Sequence, residues 1–428
     1  MNPYSRMLRE LQSKDTMQKL LSLYGSQSEG LVHQLTRYMH LIKAHEDLFE
    51  TCDALYMISS PGRVEITGNH TDHQNGQVLA CAVTLDMLAA VSPRKDNQIC
   101  IHSEGFEPIE MTLDSLSMQR EERGTSKALI RGVANAMKKG EYGIGGFDAI
   151  ITSEVLPSSG LSSSAAFEML ICMIFQKLYN ENLPEFDPII SAKICQYAEN
   201  VYYGKPCGLM DQMASGIGGI LAIDFKDEPQ VTPLSFNFID TGYLMILVNP
   251  PASQKDVVDE YTTIRSEMGK VASFFHEDTL RKVRPEQILQ NLSALHKEVG
   301  DRATLRAMHY FKENIRVKTQ LFNLKHNDLG AFFNDIIQSG LSSWTLLQNV
   351  YMPGENQPLS LALTVAAELL QDKGAWRVHG AGFAGTTLNF VPMDMRDEFI
   401  STMEEIFGAN ACLALDVRSE GTCLVLQN

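Results

Sequence analysis

One stretch constrains this chain more than any other: Leu156-Pro157-Ser158-Ser159-Gly160-Leu161-Ser162-Ser163-Ser164-Ala165-Ala166. Before it, Phe147 to Val155 reads as a strand. After it, Ser162 to Tyr179 places apolar residues at 167, 170, 171, 174, 175 and 178, which is helical spacing. A loop of such small residues between strand and helix lets backbone N–H groups approach a ligand closely, and the helix N-terminus favours an anion there. Three consecutive hydroxyls add donors and potential metal ligands. A serine-rich capped turn has the same local pattern, so the run alone does not select the anion site. It is not a Walker loop, because GxxxxGK[ST] is missing.

Three further runs carry chemistry. Pro61-Gly62-Arg63-Val64-Glu65-Ile66-Thr67-Gly68-Asn69-His70-Thr71-Asp72-His73-Gln74-Asn75-Gly76 is dense in side chains able to make paired hydrogen bonds. That density suits a sugar, whose hydroxyls each want a donor and an acceptor. A metal centre from His70, Asp72 and His73 competes poorly, since neighbours on extended chain alternate faces. Cys207-Gly208-Leu209-Met210-Asp211-Gln212-Met213-Ala214-Ser215-Gly216 sets one carboxylate among small and apolar residues, where desolvation and a cation can tune it as a base; a helix-capping Asp is the alternative. His379-Gly380-Ala381-Gly382-Phe383-Ala384-Gly385-Thr386-Thr387 is a glycine-rich turn before a strand. A dinucleotide fold would need a helix after that loop, so the GxGxxG-like match carries little.

The remaining texture is mixed. Residues 1 to about 50 read as a polar, amphipathic helical extension. Ala54 to Ile58 reads as a strand entering a turn at Ser60-Pro61-Gly62, Val78 to Val91 as β, and Gly242 to Val248, Thr386 to Val391 and Thr422 to Leu426 as strands. Asp187 and Pro188 open a helix that Gly204 and Pro206 close, and Pro285 to Gln371 is mostly helical. The order is α+β without regular βαβ alternation. Lys226 to Pro233, polar with two prolines, marks the boundary between an N-terminal domain, 51–230, and a C-terminal domain, 231–428. Eight cysteines are scattered without a CxxC pair, which suits reduced core thiols. The first residues lack the apolar core of a signal peptide, and no stretch approaches ~18 uninterrupted apolar residues. With a net charge of −16, these features predict a cytoplasmic protein that neither coats nucleic acid nor enters a membrane.

Taken in order, the four runs resemble the motifs of the GHMP small-molecule kinases, and specifically their galactokinase branch. Pro61 to Val64 with Gly68 to Asp72 resembles the galactokinase signature, Gly160 to Ala166 the phosphate loop, Gly208 to Gln212 the catalytic segment, and Gly380 to Gly385 the third motif. The resemblance implies a two-lobed fold with mixed sheets and the active site between the lobes. It implies phosphoryl transfer from Mg-ATP to the anomeric hydroxyl of galactose by a monomer or weak homodimer. By position it implies Asp211 as base and Arg63 as its partner on the transferring phosphate, an arginine that would hold Asp211 ionised. It implies Ser164 and Glu199 as Mg²⁺ ligands. ATP would meet Pro157, Gly160, Leu161, Ser162, Ser163, Ser164 and Ala165; the sugar would meet Asn69, His70, Asp72, Gly208 and Tyr261.

The chain departs from that pattern at four places. Asn69 stands where galactokinases usually carry Glu, Glu65 where they carry Asn, His73 where they carry Tyr, and Ala384 where they carry Gly. Asp72-His73-Gln74 is similar to the galacturonate kinases of the same branch. A neutral Asn69 could donate to a uronic carboxylate, and Lys205 could oppose its charge. The expectation is a galactokinase, with a galacturonate kinase as one alternative and an inactive sugar sensor as another. The intact Ser162-Ser163-Ser164 run, Asp211 and Arg63 favour an active enzyme.

Overall fold

The computed structural model describes residues 2–25, 28–155, 160–184, 186–251, 257–351, 354–383 and 385–428. Apolar runs too continuous for a half-exposed sheet become strands covered on both faces. The strands are β1 (Tyr56–Thr67), β2 (Gln77–Pro93), β3 (Gln98–Ser103), β4 (Ile109–Thr112), β5 (Phe147–Ser153), β6 (Ile220–Asp224), β7 (Gln230–Leu234), β8 (Tyr243–Val248), β9 (Ala375–His379), β10 (Thr386–Pro392), β11 (Cys412–Leu415) and β12 (Cys423–Gln427). The first sheet runs β12-β1-β2-β5-β3-β4, with β6 on β2 and β7 on β6. Among the described residues, only β3 and β5 pair in parallel within it. The second sheet, β11-β8-β10-β9, is antiparallel.

The sheets share one apolar core. Val64, Leu79, Leu170 and Phe175 of the first lobe belong to the same buried cluster as Met245, Leu247, Phe332 and Phe390 of the second. The chain leaves the first sheet after Leu234, because the polar stretch around residue 230 still supplies its outer strand β7. It then returns at the end, where β12 pairs with β1. The expected N-terminal extension forms three helices, Pro3–Leu11, Lys14–Tyr24 and Ser28–Phe49. Tyr4, Met7, Leu20, Tyr38 and Leu41 pack there on Met57, Leu88 and Leu426 of the sheet.

The turn expected at Ser60-Pro61-Gly62 lies inside β1 instead. Pro61 has no N–H to give the ladder, and the β1–β2 register shifts between Pro61 and Arg63. The Arg63 N–H turns to the Leu161 carbonyl at 3.0 Å. A Cβ on Gly62 would stand 3.2 Å from Leu161, so the glycine eases the close approach of Leu161 to the strand. The helix opened by Asp187 and Pro188 forms as expected, with Asp187 accepting from the Ile189 N–H. Its last turn widens into a π-turn, Ala198–Tyr203, before Gly204 ends it. All eight cysteines are free thiols. Among the described residues no helix is long and apolar enough to cross a membrane.

Candidate active site

The four runs converge on one cavity of about 610 Å³ between the lobes. It lies where β1, the helix Ser163–Tyr179, the helix Met210–Ile217 and the β9–β10 turn meet. Its volume falls within the range of small-molecule sites.

Arg63 projects from β1 and grips Asp211 in a fork, Nε to Oδ1 at 2.6 Å and the second guanidinium nitrogen to Oδ2 at 2.7 Å. Its remaining nitrogen donates to the Gly160 carbonyl at 2.6 Å. Ser162 Oγ donates to Asp211 Oδ2 at 2.7 Å. Burial alone would raise the Asp211 pKa, but the Arg63 charge and these hydrogen bonds hold it below its ordinary value. Asp211 is thus an anion at neutral pH with acceptor capacity to spare. Ser162 sits in the left-handed region at φ 59° and makes no capping bond. Its hydroxyl is committed to Asp211, so it does not satisfy the first N–H groups of the following helix, which remain suited to an anion. A non-glycine residue held at positive φ is the kind of strain that functional loops store.

Ser164, the second residue of that helix, donates to Glu199 Oε1 at 2.9 Å. Glu199 is only 1% exposed. The π-turn that starts at Ala198 supplies the local change of pitch, with the N–H groups of Gly204 and Lys205 both directed to the Glu199 carbonyl. Lys205 Nζ lies 3.2 Å from Glu199 Oε1, and Gln212 donates to Oε2 at 2.9 Å. Burial opposes the Lys205 charge, but Glu199 and Asp211 more than offset this and raise its pKa. Among the described residues no cluster of three or more His, Cys, Asp or Glu could cage a metal. An adjacent hydroxyl and carboxylate beside a phosphate loop fit Mg²⁺, which takes few protein ligands and keeps phosphate oxygens and water.

The signature run lines the other side. Asp72 is half-buried there, and desolvation together with the Asp211 charge raises its pKa to about 6. It accepts from the His73 N–H at 2.8 Å. Gly208 faces it so closely that a Cβ would fall 1.5 Å from Asp72 Oδ2. Burial lowers the His70 pKa to about 4, so its neutral ring donates from Nε2 to the Ala381 carbonyl at 3.1 Å. Tyr261, half-buried, completes this wall.

Not every expected residue reaches the cavity. Asn69 is fully buried away from its lining. Its Nδ2 donates to Glu65 Oε1 at 3.0 Å and to the Gly380 carbonyl at 2.6 Å, and its Oδ1 accepts from Asn349 at 2.8 Å. Leu161 and Ala165 are also buried behind the loop; Leu161 serves through its carbonyl on Arg63. Pro157 and Ala384 lie outside the described residues. The lining also includes residues that were not among the expected contacts, Glu65, His73, Arg265 and His379 among them. Glu65 had a legible signal, since it follows Arg63 by two on a strand and shares its face. Arg265 sits one turn from Tyr261 on the helix Val257–Phe274.

Comparison with known proteins agrees with this geometry. Residues 43–93 match the galactokinase galactose-binding signature, and residues 128–219 match the GHMP kinase N-terminal domain. A galactokinase of Clostridium acetobutylicum is 31% identical over 361 residues, covering 81% of this chain and 87% of that protein. The crystal structure of Lactococcus lactis galactokinase complexed with galactose superposes with a TM-score of 0.77 at 23% identity, over 89% of this chain and 98% of that one. A mevalonate kinase of Methanococcus jannaschii shares the fold with a TM-score of 0.57 at 15% identity, over 84% and 98%.

Proposed function

Because the chain belongs to the galactokinase family of the GHMP kinases, we propose that its cavity seats ATP and galactose together and phosphorylates the anomeric hydroxyl, giving galactose 1-phosphate. The observation that carries this reading is the Arg63–Asp211–Ser162 constellation at the head of the phosphate-loop helix. The sugar oxygen attacks the γ-phosphorus, the bond to the ADP oxygen breaks with its electrons leaving on ADP, and Asp211 takes the hydroxyl proton. Arg63 orients Asp211 and offers its charge to the transferring group. The N–H groups of the loop and of the first helical turn hold the phosphates. Ser164 and Glu199 would hold Mg²⁺, which supplies charge neutralisation on the phosphates when bound. This local positive set lets a chain of net charge −16 take a polyanion.

The same reading treats the chain as an active cytoplasmic enzyme, a monomer or weak homodimer built of two lobes divided near residue 230. The uronate alternative loses the support of Asn69, because the Asn69 donors are spent on Glu65 and Gly380 while Glu65 itself lines the cavity. Incubation with ATP and a panel of hexoses and hexuronates, read by phosphorus NMR at C1, tests the assignment. Galactose 1-phosphate is the expected product; no phosphorylated hexose would refute it.

Two further outcomes follow from the sugar wall. Gly208→Ala is expected to raise the KM for galactose at least tenfold with little change in melting temperature. The added methyl displaces the half-buried Asp72 carboxylate at the cavity wall, outside the apolar core. An unchanged KM would show that Asp72 does not meet the sugar. The second concerns pH. Asp72 and Glu65 are raised to about 6 and about 7 by burial, against the pull of Arg63 on both, Arg377 and Asn69 on Glu65, and Arg265 and the His73 N–H on Asp72. A sugar hydroxyl donates to the ionised forms, so the KM for galactose should fall as pH rises from 5.5 to 8. A flat profile would exclude both carboxylates from sugar binding.

A further inference from the structure

Glu65 is a buried carboxylate at the cavity wall with an acceptor to spare. Its Oε1 is occupied twice, by Arg377 at 2.9 Å and by Asn69 Nδ2 at 3.0 Å. Its Oε2 has one contact, 3.2 Å to the same Asn69 nitrogen. Arg377, fully buried, is held in turn by the Ile66 carbonyl at 2.6 Å. The Glu65 N–H is fixed on His379 Nε2 at 3.1 Å, and that ring donates to Thr386 at 2.9 Å. The carboxylate is therefore positioned from four directions, by Arg377, Asn69, its own strand and the β9–β10 turn. A buried charge so held costs desolvation, and the neighbouring Asn69, whose groups are all spent inside the protein, cannot do its work at the wall.

Resting on the sugar-kinase reading above, we infer that Glu65 is the specificity-determining carboxylate of the sugar subsite, accepting a hydrogen bond from one substrate hydroxyl and excluding substrates that carry a carboxylate in its place. A hydroxyl donating to an ionised carboxylate makes a strong bond, whereas a second carboxylate there is repelled. A site built to bond a hydroxyl rejects the analogue that lacks it far more strongly than an apolar pocket would.

The test compares wild type with Glu65→Gln on galactose, its four monodeoxy analogues at C2, C3, C4 and C6, and galacturonate. For wild type, one deoxy analogue should lose at least tenfold in kcat/KM relative to the others. In Glu65→Gln that discrimination should collapse to within about threefold, and the galacturonate-to-galactose ratio of kcat/KM should rise at least tenfold. A purely structural role would lower all substrates in proportion and leave both ratios unchanged, which overturns the inference while the kinase reading stands. Should Glu65→Gln not fold, the wild-type panel decides: four equal deoxy analogues, or galacturonate used as well as galactose, overturn it. Wild type that phosphorylates no hexose overturns both readings.

Discussion

Asp211→Asn should lower kcat on galactose by about 10²–10⁴, the usual worth of a positioned general base, while the KM for galactose stays within a few-fold. The amide keeps the shape and can still accept one arm of the Arg63 fork, but it cannot take a proton. Arg63→Lys tests the other half of the pair. Lysine supplies one point charge where arginine supplies a fork reaching Asp211 twice and Gly160 once. It should therefore lose activity despite keeping its charge. The two residues act as a unit, so the double variant should be little slower than the worse single one. Steady-state rates alongside thermal melts check this, since a folded but slow protein separates chemistry from stability. The pH profile adds a sign. Asp211 is held below its ordinary pKa by Arg63, so it is already ionised across pH 5–9 and its limb of the kcat profile appears only on further acidification. Asp211→Asn within tenfold of wild-type kcat would remove Asp211 from the chemistry.

The same pair shows how far the sequence could be read. Asp211 and Arg63 are 148 positions apart, and only the order of four motifs, together with the family they resemble, brought them together beforehand. The phosphate loop and its helix were legible because their periodicity and small residues are local properties. Other features depended on contacts that no local pattern records. Pro61-Gly62 carries an ordinary turn signature, yet it serves as a bend within β1, where Leu161 packs against Gly62. Glu199 came to the site by resemblance alone; a π-turn coincides with its burial, and pitch is not written in single-residue propensity. Asn69 and Glu65 were legible as departures, but which one faces the cavity is decided by Arg377 and Gly380 from the far lobe. The four-residue strands β4 and β11 carried too few residues for a period to show.

The largest stability loss should come from a residue far from the chemistry. Asp86 stands on β2 with no exposure. Arg37 of the helix Ser28–Phe49 reaches its Oδ1 at 3.0 Å, and Arg418, just before β12, reaches its Oδ2 at 3.1 Å. Ser59 and Tyr24 donate to the same carboxylate. One side chain thus joins the N-terminal helices, the central strand and the C-terminal segment. Asp86→Ala would leave two buried guanidinium groups without their shared anion, which costs about 3–5 kcal/mol when one partner of a buried pair is removed. A denaturant titration should show a lower midpoint at unchanged slope, because the surface exposed on unfolding stays the same. The exposed pair Lys95–Asp53 provides the contrast: its side chains are 91% and 78% accessible, and Lys95→Ala should change stability by less than about 0.5 kcal/mol. The pH sign follows from the direction of the shift. Burial raises the Asp86 pKa, but Arg37 and Arg418 bring it below its ordinary value. A depressed carboxyl pKa contributes stability above the unfolded value of about 4 that is lost as pH falls through the folded value. Wild type should therefore lose stability on acidification below about pH 4 more steeply than Asp86→Ala, and near-equal acid profiles would mean that the extension is held by its apolar contacts alone.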